Sequence, residues 1–143
     1  MDVQLAGLIE ESVVDGPGMR FVIFTQGCEH HCAGCHNPQT HDPNGGETVS
    51  VDWLKEQIDA QKLIRGITFS GGEPLMQTEG LIELVKLLEG FDIAVYTGHE
   101  LGDVPQELLE RINYIKTGPF KIELKTTVKP FVGSTNQEFR RLR

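Results

Sequence analysis

Three cysteines, Cys28, Cys32 and Cys35, fall within eight positions, and the 143 residues contain no other. The spacing Cys-x-x-x-Cys-x-x-Cys can deliver three thiolates to one metal centre. Two chemistries compete for such a set. A four-iron cube normally takes four cysteine thiolates, so a chain that offers three leaves one iron without a protein ligand. That iron can bind a substrate, much as a catalytic zinc keeps one position open. With His30, His31 or His36 as a fourth ligand, the same cysteines would instead close a tetrahedral Cys3His zinc site. Disulfide pairing fits poorly, because clustered cysteines with no others to pair with point to metal or redox chemistry in a reducing compartment.

A second candidate segment, Ser70-Gly71-Gly72-Glu73-Pro74, follows the strand-like Ile67-Thr68-Phe69. Glycines at a strand end let backbone approach a ligand closely, and the Glu73 carboxylate can accept hydrogen bonds from an ammonium group. Alone, a Gly-Gly turn reads as a loop. Beside three cysteines it weighs against a zinc knuckle, which needs no glycine-rich strand end elsewhere. The third segment is Tyr96-Thr97-Gly98-His99-Glu100, in which Thr97 closes a strand. His30, His31, His41 and His99 read as surface loop histidines.

The elements that must position these groups follow from turn and periodicity signals. Asp15-Gly16-Pro17-Gly18 predicts a tight turn, and the strand from Arg20 to Phe24 then delivers Cys28. After the breaker Asn44-Gly45-Gly46, Ser50 caps a helix carrying Val51, Leu54 and Ile58. A strand over Gly66 to Ser70 precedes a helix with Leu81, Leu84, Val85 and Leu88 on one face, and Gly90 suits the position past its end. Ile93 to Tyr96 form the next strand. Asp103 with Gln106, and Pro105 in the first turn, predict a helix through Leu108, Leu109 and Ile112. Tyr114 to Lys116 form a fourth strand. Alternating strands and helices imply an α/β fold with a mainly parallel sheet. Four or five such units cannot close an eight-stranded barrel, so the expected shape is incomplete and open along one side. Ligands bind at the carboxyl ends of such strands, where all three candidate segments fall.

The totals fit one domain over residues 1–143. The net charge of -8 disfavours nucleic acid as a partner. Residues 111–143 form a basic segment of the same domain at +6, leaving -14 for the remainder. A solvated face is the ordinary explanation for such a run. Docking of an acidic electron donor or partner protein is the functional one. No apolar run approaches the roughly 18 residues of a membrane span, and Met1-Asp2-Val3-Gln4 lacks the positive start of a signal peptide. A cytoplasmic protein without membrane attachment is expected.

Read together, Val14-Asp15-Gly16-Pro17-Gly18-Met19-Arg20-Phe21, Phe24-Thr25-Gln26-Gly27-Cys28 and Cys35-His36-Asn37-Pro38 resemble the activating enzymes of glycyl radical proteins, within the radical S-adenosylmethionine family. Short length, Ile115-Lys116-Thr117-Gly118-Pro119-Phe120 and the tail Gly133-Ser134-Thr135-Asn136-Gln137 resemble the activators of anaerobic ribonucleoside-triphosphate reductase more than the longer pyruvate formate-lyase activators. The resemblance implies an incomplete, laterally open (β/α) barrel. It implies one 4Fe-4S cluster on Cys28, Cys32 and Cys35, with the methionine end of S-adenosylmethionine chelating the fourth iron. Gly71, Gly72 and Glu73 would hold the methionine amino group, and Thr97 the ribose or methionine part. The adenine would lie by Gly34, which stands where many relatives have an aromatic residue, with His36 sharing the stacking. Thr117 stands where relatives often have aspartate. The implied reaction is one-electron cleavage of the sulfonium to methionine and a deoxyadenosyl radical, which takes a hydrogen atom from a glycine Cα. The implied partners are the large subunit of the reductase and an electron donor such as flavodoxin. Other functions stay open on the residues alone: another glycyl radical activase, a small radical S-adenosylmethionine enzyme acting on a heterocycle such as a deazapurine precursor, or a non-catalytic zinc or iron-sulfur module.

Overall fold

Phe21, Val22 and Ile23 are wholly buried or nearly so, as are Ile67, Thr68 and Phe69, and Ile93, Ala94 and Val95. Such runs, covered on both faces, are the signature of parallel strands. The computed structural model describes residues 1–30, 32–35 and 38–143. Among these, seven strands form one sheet in the order β3 (Glu47–Ser50), β1 (Asp2–Ser12), β2 (Arg20–Thr25), β4 (Gly66–Gly71), β5 (Asp92–Tyr96), β6 (Tyr114–Thr117) and β7 (Glu138–Arg141). The central four, β2, β4, β5 and β6, are parallel. β1 runs antiparallel to both β2 and β3, and β7 antiparallel to β6. The edges β3 and β7 do not meet, so the sheet stays open, as expected.

Helices α1 (Val51–Asp59), α2 (Thr78–Leu87) and α3 (Gln106–Leu109) connect the parallel strands. Leu54 and Ile58 of α1, Leu81 and Leu84 of α2 and Leu108 of α3 join one core with Phe21, Ile23, Ile67, Phe69, Ile93, Val95 and Ile115. Because side chains alternate across a strand, the intervening Arg20, Val22, Thr68, Ala94, Tyr96, Tyr114 and Lys116 face the other way, into the hollow of the open barrel. Arg20 closes the amino end of that hollow. Fully buried, it donates to Thr68 Oγ1 at 2.7 Å, Pro17 O at 2.8 Å and Asp92 O at 2.9 Å, and pairs with Asp92 Oδ1 at 3.0 Å. The Asp15–Gly18 turn folds over it so tightly that a Cβ on Gly16 would stand 2.8 Å from Arg20 Cδ. The hollow therefore opens toward the carboxyl ends of the strands.

Ser50 caps α1 as predicted, its side chain accepting from Trp53 N. Three antiparallel strands were not anticipated. In β1 the apolar alternation of Val3 and Leu5 breaks at register shifts between Leu5 and Gly7 and between Ile9 and Ser12. β3 has a single apolar residue, Val49, and β7 hides one aromatic among arginines. The predicted helix through Ile112 is shorter, and Asp103 caps a different turn: its carboxylate accepts from Glu100 N at the start of the 3-10 turn Leu101–Asp103.

Candidate active site

The cysteine loop leaves β2 and is pinned at both ends. Gln26, buried behind it, donates to Gln39 O at 3.1 Å and Asp42 O at 2.8 Å. Gly27 N donates to Thr40 O at 2.6 Å, Cys28 N to His41 O at 3.1 Å, and Cys35 N to Cys32 O at 3.1 Å. All three cysteines are half-buried thiols outside any disulfide, and all three line one cavity of about 480 Å³. Two of the predicted participants, His31 and His36, lie outside the described residues.

Gly71 and Gly72 line the same cavity, but their closest neighbours are not a ligand's. A Cβ on Gly71 would stand 2.3 Å from Thr25 N, and one on Gly72 would stand 2.4 Å from Gly27 O. The pairing of β2 with β4 continues past the strand ends through Gly72 N to Thr25 O at 3.0 Å and Glu73 N to Gly27 O at 2.7 Å. The close approach expected of these glycines is thus to the chain's own backbone. It fastens the Glu73 segment to the root of the cysteine loop.

Glu73 is 1% exposed and its carboxylate has four donors. Oε1 accepts from Gly98 N at 2.8 Å and lies 2.8 Å from His30 Nε2, while Oε2 accepts from Thr97 Oγ1 at 2.7 Å and Leu75 N at 3.0 Å. An ionised carboxylate has about four lone-pair sites, so this one is saturated. One side chain thereby joins the cysteine loop, the end of β4 and the end of β5. Any further donor to Glu73 would have to exchange with one of these four, and His30 is the one that comes from the cysteine loop. His30, expected at the surface, instead sits edge-on to His99 with ring centroids 4.7 Å apart. Its place midway between Cys28 and Cys32 was the available sequence signal. Thr97, 2% exposed, serves the cavity through Glu73 and also accepts from His99 N at 3.0 Å.

The wall beyond Glu73 was not anticipated. Lys116 of β6, half-buried, holds its ammonium 4.6 Å from the ring centre of Tyr96. Burial pushes its pKa down to about 8, against the opposing pull of Glu73, Asp15 and Cys35. Tyr96 has its pKa raised by burial and then by the Asp15 charge, so the phenol keeps its proton. Phe131 lines the same cavity, and behind it Phe139 packs with ring centroids 4.9 Å from Phe131 and 5.4 Å from Tyr114. Phe131 adopts a φ of 62°, an uncommon conformation for a bulky residue. Gly34 is exposed with a φ of 73°, and Ile122 packs over it so closely that a Cβ would stand 2.6 Å from Ile122 Cδ1. Thr117 is buried at the end of β6.

An open, mainly parallel α/β sheet that gathers three thiols, a glycine-tied strand end and a buried carboxylate around one cavity is the architecture of a metal-cluster enzyme. Residues 14–140 match the family model described as a 4Fe-4S single cluster domain. The chain is 32% identical over 146 residues to the anaerobic ribonucleoside-triphosphate reductase-activating protein of Escherichia coli (strain K12), covering 92% of this chain and 94% of that one. It is 38% identical over 116 residues to the pyruvate formate-lyase-activating enzyme of Clostridium pasteurianum, covering 72% of this chain but only 46% of that longer enzyme. The crystal structure of QueE from Escherichia coli shares the fold, with a TM-score of 0.57 at 21% identity over 82% of this chain and 71% of that one. The chain belongs to the 4Fe-4S single cluster family and, within it, to the radical S-adenosylmethionine activating proteins. The cofactors of this class are one 4Fe-4S cluster and S-adenosylmethionine, and the residues present fit the cluster: three thiols on a pinned loop, with no fourth cysteine in the sequence.

Proposed function

We propose that this protein installs a glycyl radical on an anaerobic ribonucleoside-triphosphate reductase. In this reading Cys28, Cys32 and Cys35 would hold the cluster, and, with no fourth cysteine in the sequence, one iron would be left for S-adenosylmethionine. When bound and reduced, these cofactors supply a carbon-centred radical that removes a hydrogen atom from a glycine Cα. The chain's own tasks are to bind, orient and shield. Gly71 and Gly72 set the height of the Glu73 segment, Glu73 takes the methionine ammonium in place of His30, and Thr97 holds the Glu73 carboxylate in position. Exclusion of water from the cavity protects the radical, and the open side of the sheet admits the glycine loop of the partner. A flavodoxin-type donor supplies the electron, and the reaction takes place in the cytoplasm; none of the helices is long and apolar enough to cross a membrane among the described residues.

The observation that carries this reading is the convergence of three thiols and Glu73 on one cavity, in a chain that matches an activating protein over 94% of that protein's length. Anoxic reconstitution with iron and sulfide, followed by electron paramagnetic resonance of the purified reductase after incubation with S-adenosylmethionine and reductant, tests it. A glycine doublet on the reductase is expected. Cleavage of S-adenosylmethionine with no radical on the reductase would redirect the enzyme to another substrate, and stable zinc in place of iron would make it a binding module.

A further inference from the structure

The imidazole of His30 sits in a seat built from the ends of β4 and β5. Its Nε2 lies 2.8 Å from Glu73 Oε1, and its ring stands edge-on to His99 with centroids 4.7 Å apart. Glu29, the preceding residue of the same loop, approaches His99 as well, with Oε1 3.8 Å from Nε2. The floor of the seat is Gly98. A Cβ there would stand 2.9 Å from both Cδ2 and Nε2 of His30, and no other atoms would lie nearer. Gly98 lacks the left-handed φ that calls for glycine, so its missing side chain is explained by the ring that lies over it. The other three donors to Glu73 are fixed by the fold: Leu75 N and Gly98 N are backbone groups, and Thr97 is buried just past β5. His30 comes instead from the middle of the cysteine loop, on a side chain 19% exposed.

We propose that His30 is a placeholder on Glu73: it ties the cysteine loop to the ends of β4 and β5 until S-adenosylmethionine binds, and binding unseats it. The inference deepens the cofactor site proposed above and rests on it. Glu73 has no lone pair to spare, so an ammonium gains the carboxylate by removing a donor. Releasing Leu75 N or Gly98 N would unmake the backbone at a strand end, whereas His30 leaves by a change of side-chain rotamer. Two effects of opposite sign follow. A ligand that must displace His30 binds with its intrinsic affinity reduced by the fraction of molecules whose seat is empty, so His30 weakens cofactor binding. The same bond steadies Cys28 and Cys32, which flank His30, while the seat is filled. A residue serving packing alone would not produce both effects.

The test uses anoxically reconstituted full-length protein. In H30A, calorimetric affinity for S-adenosylmethionine should rise by about 10-fold, the range of one hydrogen bond to a charged group. Loss of iron to a chelator should be several-fold faster in H30A than in the wild type. That difference should disappear at saturating S-adenosylmethionine, where the wild-type His30 is unseated too. H30Q keeps a donor and should return both measurements to wild-type values. G98A pushes the imidazole away with a methyl group, so without S-adenosylmethionine it should match H30A in the chelator assay, and the H30A/G98A double variant should lose iron no faster than H30A. Unchanged or lowered affinity in H30A overturns the placeholder. So does a difference in iron loss that persists at saturating S-adenosylmethionine, which would make His30 a fixed part of the loop. Wild-type protein that binds S-adenosylmethionine yet leaves no radical on the reductase would remove the proposed function and leave the role of His30 standing, because none of these measurements involves the reductase.

Discussion

At the scale of single residues, the site divides into groups whose partners are local in sequence and groups whose partners are set by the sheet. The three cysteines belong to the first kind, and their spacing alone made them legible. Glu73 was legible as a carboxylate but not as the hub of four hydrogen bonds, because its donors come from positions 30, 75, 97 and 98. Truncation in E73A leaves these donors unpaired in a buried place. It should lower stability by about 3 kcal/mol, weaken S-adenosylmethionine binding and leave bound iron unchanged, as denaturant unfolding, calorimetry and iron analysis will report. Lys116 was illegible for the opposite reason: in sequence it sits in a short apolar strand, and only register places it opposite Phe139 and beside Tyr96. Its pKa of about 8 lies below the ordinary lysine value of 10.5. Below pH 8 both folded and unfolded chains carry the proton, so the burial cost is full and K116M should be the more stable protein. Between about pH 8 and 10.5 the unfolded chain binds a proton that the folded chain has lost, so wild-type stability rises relative to K116M. Urea unfolding of both proteins at pH 7 and pH 10 measures the narrowing gap. A gap independent of pH would show that the ammonium is not desolvated.

At the scale of elements, the parallel core and its two longer helices could be read from the chain because each has an unbroken period. The antiparallel edges could not. The bulged β1 changes face midway, β3 is nearly all polar, and β7 owes its place to Phe139 rather than to any alternation. The glycines show how one residue type carries two unrelated meanings that sequence does not separate. Gly90, two residues past the Leu88 cap of α2, has a φ of 96° and open space where a Cβ would go, so G90A should lose only the left-handed penalty, about 1 kcal/mol. Gly72 faces backbone 2.4 Å away, and the backbone of a paired strand end cannot retreat. G72A should therefore cost well over 1 kcal/mol and should also loosen the cysteine loop, because the bond from Glu73 N to Gly27 O crosses that contact. Thermal unfolding ranks the two variants, and iron retention after gel filtration reads the loop. Equal losses in both would mean that β2 and β4 can separate at their ends without consequence.

At the scale of the whole molecule, the open barrel and the uneven charge were both legible, but the fold changes what the charge can do. The basic segment is the open edge itself. β7 presents Arg140 and Arg141 outward, and Lys121 and Lys125 are exposed close to the cavity wall. Arg143 is spoken for: it donates to Ile112 O at 3.1 Å and Leu109 O at 2.7 Å, capping the turn after α3. Neutralising it would mix loss of charge with loss of structure. R140Q and R141Q avoid that: among the described residues the Arg140 side chain pairs with the exposed Glu138, and the Arg141 guanidinium makes a long bond to Arg143 O. A concentrated positive edge on a protein of net charge -8 would steer an acidic partner toward the open side while the rest of the surface repelled it. The R140Q/R141Q double variant should slow electron transfer from reduced flavodoxin several-fold at about 0.01 M salt, where the screening length is about 30 Å. The deficit should vanish near 1 M, where screening falls to about 3 Å. Stopped-flow measurement of flavodoxin oxidation across that range decides it. Equal rates for the variant and the wild type at low salt would return this edge to the role of a solvated face.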